Sequence, residues 1–264
     1  MPSPATHAPG PADRLRIVLV GTQHPGNIGS AARAMKTMGL ARLVLVAPEK
    51  APSVESYALA AGADDVLAAA TTCATLAEAV ADCRLVLGCT ARSRRVALEE
   101  LLPRDAAARA VGEAGAGAEV ALVFGRERTG LTNDELQLCH ASVHIPANPD
   151  YSSLNLAAAV QVLSYELRLA VLASASPTAQ AAEADAAAER RDTPASHAEM
   201  EGFFAQLADT LDAIDFHKGR APESAMRKLR RLYLRAGLDS REVRILRGIL
   251  ADAQRMASLA RPGN

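Results

Sequence analysis

Short apolar runs punctuate the first two-thirds of the chain. RIVLV (16–20), RLVLVAP (42–48), RLVLGCTAR (84–92), EVALVFG (119–125) and SVHIPA (142–147) each read as a strand. Between them the apolar residues recur at helical spacing. In NIGSAARAMKTM (27–38), Ile28, Ala31, Met35 and Met38 share one face, Asn27 suits the N-cap and Gly39 the stop. ESYALAAGA, LAEAVADC and NDELQLC read as short helices, DDVL as a short edge segment, and residues 153–172 as a long helix. Strands that are apolar throughout must be covered on both faces, which predicts an α/β fold with a mostly parallel sheet and helices on both sides.

The pattern changes at both ends. Residues 1–13 are rich in Pro and Ala without periodicity and are expected to form a disordered arm, leaving 14–173 as the main domain. Residues 174–196 are polar, Ala-rich and lack an apolar stripe, so they read as a linker. Beyond them, EMEGFFAQLADTLDAIDF, ESAMRKLRRLYLRAGL and SREVRILRGILADAQRMASL are amphipathic, so 197–264 is expected to be a small helical extension. Its last two helices carry Arg227, Lys228, Arg230, Arg231, Arg235, Arg241, Arg244, Arg247 and Arg255 against Glu223, Asp239, Glu242 and Asp252. Such a face is either solvated or suited to phosphate.

Composition narrows the classes. The net charge of −1 excludes a global polycation, so nucleic-acid binding must rest on local patches. The N-terminus lacks the apolar segment of a signal peptide. The most apolar stretch, LNLAAAVQVLSYELRLAVL, carries Gln161, Glu166 and Arg168 and reads as a buried helix rather than a membrane span. Cys73, Cys83, Cys89 and Cys139 show no paired spacing, as expected of free thiols in the cytoplasm.

The chemistry gathers where strands end: HPGNIGSAAR (24–33), GCTARSR (88–94), FGRERTGLT (124–132) and IPANPDYSSLN (145–155). In an open parallel sheet the carboxyl ends of the strands line the ligand crevice, so the four clusters belong to one edge. No Gly-Lys-Ser/Thr follows these glycines, which excludes a P-loop. Gly26-Asn27-Ile28-Gly29 lacks dinucleotide-binding spacing, and no acidic residue ends the second strand. His140 and His144 are four apart in a segment read as strand, about 13 Å between rings, so no metal is expected.

HPGNIGSAARAMKTMG, FGRERTGLTNDEL and IPANPDYSSLNLAAAVQVLSYE resemble the three ordered motifs of the SPOUT (SpoU–TrmD) RNA methyltransferases, over roughly residues 14 to 172. Among them the likeness is strongest to the tRNA 2′-O-methyltransferases that modify cytidine or uridine 32 of the anticodon loop, which also carry a basic helical tail. The resemblance implies a sheet whose C-terminal segment is threaded as a trefoil knot, a homodimer with each site completed near the subunit interface, and S-adenosylmethionine as cofactor. It places the cofactor on Cys89, Thr90, Ala91, Gly125, Glu127, Ile145, Pro146, Ser152, Ser153, Leu154 and Asn155. Arg33 matches the family's catalytic arginine and Asn27 its motif asparagine. Cys89 departs from the threonine expected there.

The residues themselves suit such a site. Gly125 would let an adenosine approach the backbone, Ile145 and Pro146 would form an apolar wall, and Ser152 or Ser153 would cap the long helix. Gly26 and Gly29 would clear space for a bulky anion at a helix N-terminus, RNA backbone in this reading, with Arg33 holding a phosphate or the ribose 2′-oxygen. Arg92, Arg94, Arg95, Arg126 and Arg128 would add positive charge, and Glu127 would pair with an arginine or orient Arg33. Rival readings are methylation of an rRNA or another tRNA ribose, a nicotinamide-dependent oxidoreductase, and a non-catalytic RNA-binding protein.

Overall fold

The computed structural model describes residues 10–91, 98–175, 194–218 and 221–260. The chain divides into two compact units, one up to Ala187 and one from Ala188. In the first, a 3-10 turn (Pro11–Arg14) precedes β1 (Leu15–Val20), α1 (Pro25–Thr37), β2 (Arg42–Val46), α2 (Val54–Ala60), α3 (Asp64–Ala68), β3 (Thr71–Cys73), α4 (Leu76–Val80) and β4 (Cys83–Cys89). β5 (Glu99–Leu101), α5 (Pro103–Gly115), β6 (Glu119–Phe124), α6 (Asn133–Gln137), β7 (Ala141–Val143) and α7 (Leu156–Ser174) complete it.

The seven strands form one sheet, ordered β3-β2-β1-β6-β4-β7-β5, and every pairing is parallel. The faces differ in residue type. Leu15, Ile17 and Leu19 of β1, Leu43 and Leu45 of β2, Leu85 and Leu87 of β4 and Leu122 of β6 share one core with α1, α5 and α7. Val18, Val20, Val44, Val46, Val86 and Val123 share the other with residues of α4 and α6. Strand periodicity of two places the longer side chains under the longer helices and the valines under two short ones. The strands are continuously apolar because both faces are buried.

Several expectations needed correction. DDVL is α3, a helix opened by two acids, which favour a helix N-terminus. β3, β5 and α5 were not anticipated: the two strands are short and partly exposed, and α5 is built on alanines without a leucine stripe. Residues 10–13 of the expected arm belong to an ordered turn, in which Asp13 accepts the Gly10 N–H at 2.8 Å; the rest of the arm lies outside the described residues. α7 is long and apolar enough to cross a membrane, but it packs against α1 and α5 through Val160, Leu163 and Leu167. It is not wholly buried as expected, since Tyr165, Leu169 and Leu172 are exposed.

The second unit holds α8 (His197–Ala213), α9 (Pro222–Ala236) and α10 (Ser240–Ala260). Phe203, Phe204, Leu207 and Leu211 of α8 and Val243 of α10 form its core, with Phe203 edge-on to Tyr233 at 4.8 Å. The unit begins before α8: the Ala195 N–H donates to the Leu238 carbonyl at 2.9 Å, and Ser196 caps α8 with Glu199 in a reciprocal box. The expected linker is therefore shorter at its C-terminal end, and its residues 176–193 lie outside the described ones.

Candidate active site

The strand order explains why distant motifs meet. β1, β6, β4 and β7 are consecutive neighbours, so the loops leaving their carboxyl ends converge on one edge. A cavity of about 490 Å³ opens there. Of the residues singled out from sequence, Cys89, Thr90, Ala91, Gly125, Glu127, Ile145, Ser152, Ser153 and Leu154 line it. Pro146 and Asn155 do not, and nor do Asn27 and Arg33. Phe124, Thr129, Gly130, Val143, Leu156 and Ala159 also line it and were missed. Phe124 and Val143 end the strands beneath the motifs, which is the signal that could have revealed them.

Three loops are tied together through Glu127 and Asn27. Glu127 accepts the Gln23 N–H at 3.0 Å, the His24 N–H at 3.2 Å and the Asn27 side-chain amide at 2.9 Å. Asn27 in turn accepts from the Asn155 amide at 3.1 Å, and the Asn155 oxygen accepts the Ala157 N–H at 2.8 Å. Burial opposes the Glu127 charge, but the bonds from Asn27, Gln23 and His24 outweigh it and hold the carboxyl below its ordinary range.

This network corrects four expectations. α1 begins at Pro25 with His24 as N-cap, so Asn27 is not the cap; its side chain bridges Glu127 and Asn155 instead. The anion at the α1 N-terminus is Glu127, supplied by the protein itself. α7 is capped by Asn155, not by Ser152 or Ser153. Pro146 does not stop the last strand, which ends at Val143.

The glycines also serve a different neighbour. A β-carbon on Gly29 would lie 1.9 Å from the Ser56 carbonyl oxygen, so this face of α1 is cleared for α2, with the Ser56 hydroxyl donating to the Pro25 carbonyl at 2.8 Å. Likewise a β-carbon on Gly125 would meet the Gly130–Leu131 backbone at 2.2 Å. The space is taken by the loop folding back, as Arg126 and Gly130 exchange backbone hydrogen bonds of 3.3 and 2.8 Å.

The expected positive rim is thinner than its arginines suggest. Arg126 Nη1 donates to both carboxylate oxygens of Glu135, at 3.0 and 3.1 Å. Arg92, Arg94 and Arg95 lie outside the described residues. Arg33 is exposed on α1, and its side chain makes no hydrogen bond or ion pair among the described residues. The two histidines have other work: His140 Nδ1 accepts the Val86 N–H at 3.0 Å, and the His144 ring stands 3.4 Å from the Thr90 carbonyl.

The profile of the SpoU rRNA Methylase family matches residues 14–165, and that of the C-terminal domain of the tRNA methyltransferase TrmJ matches residues 198–262. The tRNA (cytidine/uridine/adenosine-2′-O-)-methyltransferase TrmJ of Pseudomonas aeruginosa is 48% identical over 93% of this chain and 95% of its own length. The tRNA (cytidine/uridine-2′-O-)-methyltransferase TrmJ of Salmonella typhimurium is 52% identical over 91% and 96%. The crystal structure of TrmJ from Z. mobilis superposes with a TM-score of 0.75 at 35% identity, covering 90% of this chain and 97% of that one.

Proposed function

The chain belongs to the SpoU methylase family, in its TrmJ branch, and from that we propose that it transfers a methyl group from S-adenosylmethionine to a ribose 2′-hydroxyl of tRNA, at cytidine or uridine 32 of the anticodon loop. The observation that carries the reading is one cavity lined by the second and third motif loops and the end of β4, with the first motif tied to both of those loops through Glu127–Asn27–Asn155. The matched C-terminal profile favours tRNA over rRNA.

The cavity fits the cofactor in size and chemistry. Its volume of about 490 Å³ lies in the range of small-molecule sites. Phe124, Val143, Ile145 and Leu156 offer apolar walls, while Thr129, Ser152 and Ser153 offer hydroxyls. Cys89, Thr90, Ala91, Gly125 and Leu154 complete the proposed cradle, with the neighbouring Pro146 and Asn155 shaping the loop around it. When bound, S-adenosylmethionine supplies an electrophilic methyl group on a sulfonium, chemistry that calls for alignment rather than a metal. Positioning of this kind is worth roughly 7–11 kcal/mol.

The 2′-hydroxyl must also lose a proton. Arg33 is unsuited to accept it, because a guanidinium stays charged at any working pH. Glu127 is equally unsuited, since its carboxylate is committed to three donors and its pKa is depressed. We assign Arg33 to stabilising the developing oxyanion, with the proton leaving to a phosphate oxygen or water. Asn27 positions the helix that carries Arg33.

Arg33 lies outside the cavity lining of its own chain, which supports a homodimer whose second copy completes each site. The exposed Tyr165, Leu169 and Leu172 of α7 give such a dimer an apolar surface. The threaded C-terminal knot and a cytoplasmic location belong to the same reading. The basic face of α9 is assigned to tRNA phosphates. Incubation of total RNA, tRNA and rRNA together, with methyl-labelled S-adenosylmethionine, followed by mapping of the modified ribose, tests the proposal. Label on the 2′-oxygen of nucleotide 32 is expected; label confined to rRNA, or none, overturns it.

A further inference from the structure

The charged residues of the cavity wall divide into committed and uncommitted ones. Arg126 is held by Glu135, and Glu127 by the N-terminus of α1. Arg128, on the same turn, is exposed, lines the cavity and makes no hydrogen bond or ion pair among the described residues. On the β7–α7 loop, Tyr151 immediately precedes Ser152, which also lines the cavity. Tyr151 is 82% exposed, and neither its ring nor its hydroxyl has a partner among the described residues. The loop holding it is not loose: the Tyr151 N–H donates to the Asn148 carbonyl at 2.9 Å and the Asp150 N–H to the Asn148 side chain at 3.0 Å. Leaving an aromatic ring in water is costly in a chain with four Tyr, four Phe and no Trp.

A guanidinium without an anion and a ring without a packing partner, on two loops bordering one cavity, match the two recognisable parts of a nucleotide. The guanidinium fork suits a phosphate. The ring suits a base, whose π-face is available whatever its identity. We propose that Arg128 and Tyr151 form a clamp for the nucleotide whose ribose enters the cavity, Arg128 on a flanking phosphate and Tyr151 against the base. The clamp rests on the methyl-transfer reading. Recognition by stacking predicts tolerance of base identity at the target position, with ribose placement, not base-edge hydrogen bonding, deciding the outcome. A cofactor carboxylate is the other anion that Arg128 could serve, and the test separates the two.

The full-length protein and its Arg128→Met, Tyr151→Ala and Tyr151→Phe variants are titrated with tRNA across a range of salt concentrations, and with S-adenosylmethionine by calorimetry. Arg128→Met is expected to lower the slope of log affinity against log salt by about 0.7–0.9, one phosphate, and to leave cofactor affinity within about two-fold. Tyr151→Ala is expected to weaken tRNA binding about ten-fold at every salt concentration, and Tyr151→Phe to bind as the wild type does. An unchanged slope, a loss of cofactor affinity in Arg128→Met, or wild-type binding by Tyr151→Ala overturns the clamp. A wild-type protein that transfers no methyl group to tRNA defeats the reading of the reaction; Arg128→Met and Tyr151→Ala proteins that bind as the wild type does defeat the clamp alone.

Discussion

In the sheet unit, Arg16 is buried between two acids, its fork 2.8 and 2.6 Å from Asp82 and 2.7 Å from Glu119, which Arg42 also reaches. In the helical unit, Lys228, Arg231 and Arg235 of α9 have no carboxylate partner among the described residues, and Arg227 reaches only the Glu223 carbonyl, at 3.3 Å. The same contrast holds for side-chain packing. β1 is buried along its whole length, whereas none of the α9 residues is fully buried. Charge spent internally fixes geometry, while charge left in water is available to a partner. A substitution in the first unit should therefore cost structure or turnover, and one in the second should cost affinity.

Arg33 breaks the pattern, because it is a solvent-facing cation in the sheet unit, and its replacement should have the largest effect. Arg33→Lys keeps the charge and loses the fork. Turnover in a labelled-methyl assay should fall about 100-fold, in the range of a lost oxyanion donor, with the melting temperature unchanged. Gly29→Ala comes next. Its β-carbon meets backbone at 1.9 Å, so it should cost about 3 kcal/mol or more by chemical denaturation, the upper end of overpacking.

Glu127→Gln sharpens the internal side of the contrast. Removing a charge that accepts several hydrogen bonds should destabilise by about 1–3 kcal/mol near neutral pH. The sign with pH follows from the depressed folded pKa. The wild-type advantage is complete above the unfolded value of about 4.3 and disappears as pH falls through the lower folded one. Thermal melts of the two proteins should therefore converge in acid.

For the helical unit, Arg227→Ala, Arg231→Ala and Arg235→Ala together should leave the melting temperature unchanged. They should lower the salt slope of tRNA binding by about 2–3, one phosphate per guanidinium. Gly248→Ala is the smallest effect and has the opposite sign to Gly29→Ala. Nothing lies within 4 Å of its β-carbon position in the middle of α10, so stability should rise by about 0.5–1 kcal/mol.

The sequence made the central strands legible, because burial on both faces leaves an unbroken apolar run such as LVLV in 43–46. It also made the meeting of four loops legible, since parallel strands present their carboxyl ends together. The uses of particular residues were not legible. Gly29 and Gly125 were read as room for a ligand, yet one admits α2 and the other its own returning loop. A missing β-carbon has the same sequence signature whichever neighbour fills the space. Asn27 and Asn155 looked like a cap and a pocket group; the cap proved to be Asn155, and the link between them depends on a contact 128 positions apart that no local pattern records. Arg126 and Arg128 are two residues apart in sequence, and only their surroundings show that Glu135 holds one and leaves the other.

The central claim is that the cavity lined by the second and third motif loops and the end of β4 is where the methyl donor binds. Ala159 lines it from α7, so Ala159→Phe should fill it without touching the Glu127 network. Calorimetric titration with S-adenosylmethionine is the direct measurement. The account predicts one site per chain in the wild type and an affinity at least about ten-fold weaker in Ala159→Phe, with both proteins melting cooperatively. Equal affinity in the two proteins, or no binding to the wild type, would contradict it.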